Sequence, residues 1–187
     1  LDKKVLINNP GMLYYSSFTT AIGLVCIVKS LKGVCQISFP YRTAGEIEEL
    51  FRHNTSRYAK VPTTDTIYQR SDARLKYEKN LLKAYFQGKR VDFDFPLDFG
   101  NGTPFQVMVW EKLREIPYGE CRSYKWVAEQ IGRPRAARAV GMANNKNPLP
   151  PVVPCHRVIG SDGSLTGYAS GLDVKKYLLE MEKGILG

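Results

Sequence analysis

The chain has 187 residues, 43% of them hydrophobic and 24% charged, proportions of an ordinary folded protein that exclude low-complexity and disordered readings. Its 27 Lys and Arg against 18 Asp and Glu leave a formal charge of +9, which favours a polyanionic partner, nucleic acid first. No run approaches the roughly 20 apolar residues that cross a bilayer, and the start lacks a basic segment followed by an apolar core, so the expected location is cytoplasmic, or nuclear in a eukaryote.

In chain order, a strand-like segment around Gly11 to Phe18 comes first. Two β-type runs follow, Ala21 to Lys29 and Val34 to Phe39, and Ser30-Leu31-Lys32-Gly33 between them reads as a hairpin turn. With Leu31 and Lys32 as the turn, Cys35 faces residue 28 and lies diagonal to Cys26; two buried thiols are expected there rather than a disulfide. The four cysteines, Cys26, Cys35, Cys121 and Cys155, have no C-x-x-C spacing, and only His53 and His156 are available to help them, so no metal site is expected. Two helical segments come next: Ala44 to His53, with Ile47, Leu50 and Phe51 on one stripe, and Asp72 to Phe86, with Leu75, Leu82 and Phe86. This half is expected to be a small α+β scaffold domain over residues 1–98; no cluster of titratable groups in it points to catalysis. The Pro/Gly/Asp-rich passage Phe95 to Gly102 breaks the periodicity and reads as a linker into a second domain over 99–187.

The second half opens on Thr103-Pro104-Phe105-Gln106, an N-cap, a proline at the first helical position and a glutamine placed to close a capping box. The helix carries Phe105, Val109, Leu113 and Ile116 on one stripe and stops at Pro117-Tyr118-Gly119. Ser123 caps a short helix with Tyr124, Val127, Ala128 and Ile131 on one face. Gly132-Arg133-Pro134 then turns the chain into a helix from Arg135 to about Lys146. Two short helices about a glycine-containing turn are a helix-turn-helix. At 100° per residue the second helix places Ala136, Val140 and Ala143 on one side and Arg135, Arg138 and Asn145 on the other. Beside Ala137 that basic face has little bulk, which suits close approach to a nucleic-acid groove with one arginine reaching inward.

The segment Asn147-Pro148-Leu149-Pro150-Pro151-Val152-Val153-Pro154-Cys155-His156-Arg157-Val158-Ile159 carries the chemistry. Its prolines predict a stiff, extended frame, and a cysteine there beside a histidine and an arginine has neighbours that favour the nucleophilic thiolate. Adjacent residues of an extended chain point to opposite faces, so a direct Cys155–His156 pair is disfavoured and a bridging water or a local turn is required. On the final predicted helix, Leu172 to about Leu186, Glu182 falls inside the arc of Leu178, Leu179, Ile185 and Leu186, and burying it alone is costly. Lys175 shares that side and either snorkels outward or pairs with Glu182. The functional reading has Glu182 orient and charge His156, which withdraws the Cys155 proton through water. Between the two, the glycine-rich run Gly160 to Gly171 offers backbone N–H groups to a ligand oxygen.

These residues together resemble the O6-alkylguanine-DNA alkyltransferases. The similarity runs from about Thr103 to Glu182 through Phe105-Gln106, Val109-Trp110, Ile116-Pro117-Tyr118-Gly119, Ser123-Tyr124, Ala137-Arg138-Ala139-Val140-Gly141, Asn147-Pro148 and Pro154-Cys155-His156-Arg157-Val158. The resemblance implies an α+β fold: a small RNase H-like N-terminal domain and a winged helix-turn-helix C-terminal alkyltransferase domain. It implies a monomer that binds double-stranded DNA through the minor groove and flips out the O6-alkylguanine. Cys155 then takes the alkyl group once, irreversibly and without a cofactor. By the same likeness Glu182, His156 and a water activate Cys155, and Asn147 braces the turn. Tyr124 donates to the guanine ring, the Ala169 N–H meets O6, and Val158 and Tyr168 belong to the pocket. Arg138 fills the vacated stack, with Ala137, Arg135 and Ser123 on the DNA side. Ala169-Ser170 stands where the family usually has Ser-Gly or Gly-Gly, and Pro151 replaces an aliphatic residue. The alternatives are a non-catalytic alkyl-lesion-binding protein, which lacks the nucleophile, and a helix-turn-helix regulator, which needs no Pro-Cys-His-Arg segment; a cysteine hydrolase is a third.

Overall fold

The computed structural model describes residues 12–49, 51, 67–100 and 102–185; Gly11, Leu50, His53, Asn101 and Leu186, on which parts of the expectations above fall, lie outside them. The chain divides into two compact units, Leu1–Lys83 with Asp92–Asn101, and Ala84–Val91 with Gly102–Gly187.

The first unit is built on a sheet of β1 (Met12–Thr20), β2 (Gly23–Lys29), β3 (Val34–Tyr41) and β4 (Ile67–Arg70), in the order β3-β2-β1-β4. β1, β2 and β3 form an antiparallel meander, whereas β4 runs parallel to β1 from Met12↔Ile67. Ala21 and Ile22, expected as strand, are instead the turn between β1 and β2. Gly23 makes that turn at φ +115°, where a Cβ would meet the Tyr41 carbonyl oxygen at 2.8 Å, a geometry open only to glycine. Residues 44–49 are helical (α1), and Ile47 and Phe51 join Leu13, Cys26, Val28 and Cys35 in one buried cluster.

The β2–β3 register differs from the expected one. Val28 pairs with Gln36 and Lys29 with Val34, an irregularity that leaves Cys35 as the extra residue, its Sγ 3.5 Å from the Val28 carbonyl. A bulge of this kind is set by local twist and escapes a turn count. Both thiols are free, and burial pushes each up to about 12.

Helix α2 (Lys76–Phe86) begins later than Asp72, after a turn, and buries Leu82, Tyr85 and Phe86. The passage after it is tied down: Val34 N–H donates to the Pro96 carbonyl, Asp98 N–H to the Val34 carbonyl, and Ser30 Oγ to Asp98 Oδ2 at 2.7 Å.

In the second unit, α3 (Pro104–Arg114) starts with the expected capping box between Thr103 and Gln106. Its buried stripe, Val109, Trp110 and Leu113, packs on α5 (Ala137–Asn145), where Trp110 Nε1 donates to the Ala143 carbonyl at 2.9 Å. α4 (Tyr124–Gln130) is capped by Ser123 and packs against α5, completing the helix-turn-helix. α5 buries Val140 and Ala143 and exposes Arg138 and Asn145, as the wheel requires; Arg135 is exposed but sits in the turn before the helix. The two-residue strands β5 (Arg122–Ser123) and β6 (Val158–Ile159) pair in parallel, Arg122↔Val158, and α6 (Leu172–Glu182) closes the unit. Among the described residues no helix is long and apolar enough to cross a membrane.

Candidate active site

The β5–β6 register positions the site. By placing Arg122 opposite Val158, it brings the start of α4, with Ser123 and Tyr124, beside the segment that carries Cys155.

That segment is not extended. Residues 148–153 turn, with a cis peptide at Pro150-Pro151, and Cys155–Arg157 form one 3-10 turn. Proline removes N–H donors and so disfavours regular structure, but it does not force extension when side chains satisfy the remaining groups. Asn147 does so here. Its Oδ1 accepts the Leu149 N–H at 3.0 Å, and its Nδ2 donates to the Val153 carbonyl at 2.7 Å and to Cys155 Sγ at 3.0 Å. Asn144 adds a bond from Nδ2 to the Cys155 carbonyl at 3.0 Å.

Cys155 is 3% exposed and His156 fully buried. Burial pushes the Cys155 thiol up to about 11, against the opposing pull of the Asn147 hydrogen bond and the Lys175 charge. The resting group is therefore a thiol, not the thiolate that its sequence neighbours lead one to expect. The cost of holding an anion away from water outweighs them.

Glu182 is buried where the helical wheel puts it, and five donors converge on it. Oε1 accepts from His156 Nε2 at 2.7 Å, the Tyr85 hydroxyl at 2.6 Å and Arg157 Nη2 at 2.9 Å; Oε2 accepts from Arg157 Nε at 2.8 Å and the Gly119 N–H at 3.0 Å. Burial alone raises a carboxyl, but the hydrogen bonds of His156 and Arg157 and the Arg157 charge override it and hold Glu182 far below the usual range. Gly119 is required for its own contribution: its φ is +79°, and a Cβ would come within 3.2 Å of the Glu182 carbonyl. Because the ionised carboxylate can only accept, His156 Nε2 carries a proton toward it. Nδ1 is then the lone-pair nitrogen; it is buried and has no hydrogen-bond partner among the described residues. Burial holds His156 below its ordinary value, aided by the Arg157 and Lys175 charges.

Lys175 does not pair with Glu182 and does not snorkel outward. It is fully buried and donates to the carbonyls of Val158 at 2.6 Å and Thr166 at 2.9 Å, tying β6 to the loop before α6. Tyr124 donates its hydroxyl to the same Thr166 carbonyl at 3.1 Å, and the Lys175 ammonium lies 5.8 Å from its ring centroid. Tyr168 is half-buried, and burial of its hydroxyl first, then the neighbouring Cys155 sulfur, hold that phenol well above its ordinary value. Val158 is fully buried, whereas Ala169 is exposed; Ala137 and Ser123 are half-buried, and Ser123 Oγ is engaged by the Trp126 N–H.

Two participants were not legible in the sequence. Arg157 read as a neighbour of the thiol, yet its guanidinium grips Glu182 at two points and the Ile116 carbonyl at 2.6 Å. Tyr85 read as part of a half without catalytic groups, yet its hydroxyl meets both Glu182 and, at 3.2 Å, His156 Nε2. The flanking apolar residues of Arg157 hinted at burial; an aromatic on a helix stripe gave no comparable signal for Tyr85.

The family described as 6-O-methylguanine DNA methyltransferase matches in two parts, its ribonuclease-like domain over residues 13–99 and its DNA-binding domain over 104–184. A methylated-DNA–protein-cysteine methyltransferase of Methanosarcina acetivorans is 42% identical over 170 residues, spanning 91% of this chain and 98% of that protein. The chain belongs to this methyltransferase family. Its Methanosarcina barkeri relative is 61% identical over 105 residues, which cover 56% of this chain and 66% of that one. Among solved structures, Mycobacterium tuberculosis OGT in complex with DNA superposes with a TM-score of 0.74 at 37% identity, covering 91% of this chain and 93% of that one. The two-domain architecture, ribonuclease-like then DNA-binding, is thus that of the methyltransferase family.

Proposed function

We propose that the chain repairs DNA by direct reversal, moving a methyl or other alkyl group from O6 of guanine to Cys155 in one irreversible event. The observation that carries the reading is a buried thiol followed immediately by an imidazole whose Nε2 is committed to a carboxylate and whose Nδ1 is unclaimed among the described residues. A water bridging Sγ and Nδ1 takes the thiol proton to the imidazole, and the resulting imidazolium is stabilised by Glu182. The sulfur attacks the alkyl carbon; the C–S bond forms as the carbon–O6 bond breaks, and the electron pair leaves on guanine. Tyr124 exchanges the Thr166 carbonyl for the guanine ring and donates to it as charge develops, while the Ala169 N–H meets O6 and Tyr168 and Val158 bound the pocket. Asn147 holds the turn. No cofactor enters, and the thioether formed is permanent.

DNA is the partner that the +9 charge and the helix-turn-helix favour. In this reading a monomer lays α5 in the minor groove, with Arg135, Ala137 and Ser123 at the backbone, and Arg138 enters the stack that the flipped nucleotide vacates. Flipping is required because an O6 substituent cannot be reached inside a duplex, and it costs a few kcal/mol. Arg138→Ala is therefore expected to slow transfer from methylated duplex by roughly 10- to 100-fold, the equivalent of that unstacking cost, with attack on free O6-methylguanine unchanged. Equal losses on both substrates overturn the wedge role. For the reaction itself the test is intact-mass analysis after incubation with methylated duplex. One methyl per chain, mapped to Cys155 and never released, is expected; an unmodified chain marks a lesion-binding protein, and turnover without lasting modification a hydrolase.

A further inference from the structure

Tyr85 lies outside the segment matched by the DNA-binding family description, residues 104–184, yet its side chain is fully buried against the chemistry proposed above. Its ring meets Tyr118 edge-on with centroids 6.2 Å apart and His156 at 6.5 Å. We infer that Tyr85 is a positioning residue for the methyl transfer: its hydroxyl, donated to Glu182 Oε1 at 2.6 Å, competes with His156 Nε2 for one oxygen and so sets how strongly the carboxylate draws on the imidazole. The inference rests on the Cys155–His156 reading of the preceding subsection.

The phenol has one proton, and an anionic carboxylate is the stronger acceptor. With that proton on Glu182, the Tyr85 oxygen faces the Nε2–H of His156 at 3.2 Å as a second, weaker acceptor. Both contacts keep hydrogen on Nε2 and leave Nδ1 as the base. Burial first, then the Glu182 charge and hydrogen bond, hold Tyr85 well above its ordinary value, so it is a neutral donor throughout the working range.

The other charged and titratable groups around the pair are Arg157 on the 3-10 turn, Tyr118 after α3, Lys175 on α6, Tyr168 before α6, and Cys155 itself. Of these only Arg157 hydrogen-bonds Glu182, among the described residues. Apart from His156 itself, Tyr85 is thus the neutral side chain that hydrogen-bonds the carboxylate among the described residues. Removing its proton donor returns negative charge to Oε1, strengthens the His156 bond and makes the imidazole more basic. The pair then gains its extra proton at higher pH, and the acid limb of the transfer rate moves upward.

The experiment uses the full chain with methylated duplex, comparing wild type with Tyr85→Phe in single-turnover rates across pH. A hydrogen bond to a charged group is worth enough to move that limb by about one unit, so roughly a tenfold loss is expected at the foot of the limb, with little change on the plateau. Nitrogen-15 spectra of the imidazole are the readout that a packing role would not move. The chain has two histidines, His53 and His156, so a His53→Gln background isolates the relevant ring, whose titration should rise in step. Should the phenylalanine chain fail to fold, 3,5-difluorotyrosine at position 85, a stronger donor, must shift both readouts downward. A folded Tyr85→Phe chain with an unmoved limb and an unmoved His156 titration overturns the inference. The underlying reading fails separately, if Cys155→Ala still accepts the methyl group.

Discussion

Cys155→Ala is expected to abolish methyl acceptance outright while leaving the chain folded and bound to DNA. The sulfur is the only protein atom in the proposed scheme that bonds to the alkyl carbon, so no partial activity survives its removal. The fold tolerates the change because the side chain is small and the surrounding bonds persist. Asn147 keeps the Leu149 N–H and the Val153 carbonyl, and Asn144 keeps the Cys155 carbonyl. The stability cost should be about 1 kcal/mol, ordinary for a conservative change in a packed site. Cys155→Ser tests the same point from another direction: it keeps a hydrogen-bonding group of similar size, but a buried hydroxyl is far harder to ionise than a thiol, so transfer should again be undetectable. The checks are intact mass after incubation with methylated duplex, and gel-shift affinity for that duplex. Retained methylation of either variant removes Cys155 from the mechanism.

Glu182→Gln should be the most damaging substitution to stability and rate together. Five donor groups close on the carboxylate, two of them from a guanidinium with 10% of its side chain exposed. An amide turns one acceptor end into a donor that opposes Arg157 or the Gly119 N–H. Breaking a buried ion pair from one side costs about 3–5 kcal/mol, and a melting midpoint lower by roughly 10 °C follows for a chain of this size. His156 loses its anion while Arg157 stays, which lowers the basicity of Nδ1; with general-base assistance gone, transfer should fall about 100-fold or more.

The pH dependence supplies an independent check. Glu182 titrates in the fold well below the ordinary carboxylate value near 4.5, so its contribution to stability is complete above that value and is lost as pH falls beneath it. His156, held neutral below its ordinary value of 6.5, acts in the same direction: the unfolded chain takes up a proton that the buried ring resists, so stability declines as pH falls through that region. Thermal melts from pH 8 to pH 3 should show both components in the wild-type chain, and Glu182→Gln should lack the lower one. An unchanged slope below 4.5 would mean that Glu182 is not ionised in the fold.

Local signals carried much of the architecture. The capping box at Thr103-Pro104-Phe105-Gln106, the Ser123 cap and the turn at Gly132 depend on neighbours three or four residues away, and each lies where the spacing puts it. The same holds for the two-sided character of α5 and for the burial of Glu182 beside Leu178 and Leu179, but the helix ends at Glu182, short of the expected Leu186, and Ile185, counted in the same arc, is exposed. Where the sequence misleads, the missing information is non-local. The proline-rich approach to Cys155 turns at a local Asx bond from the Leu149 N–H to Asn147, which the Asn-Pro pair signals, but the bonds from Asn147 to Val153 and Cys155 and from Asn144 to the Cys155 carbonyl span six to eleven residues and escape a local reading. The Cys35 register slips by one residue because sheet twist, not loop length, sets the bulge.

The sequence by itself singled out Cys155, His156 and the buried Glu182 as a candidate site, because Pro-Cys-His-Arg and a carboxylate in a leucine face are each anomalous within a short window. It determined the two-part order of the chain and the basic helix for the same reason. Only the tertiary structure decided who satisfies that acid: Arg157, Tyr85 and Gly119 rather than Lys175, which turns to backbone carbonyls instead. It alone decided that the resting sulfur is a thiol. Both outcomes follow from desolvation, which depends on everything that surrounds a group in space and not on the residues beside it in the chain.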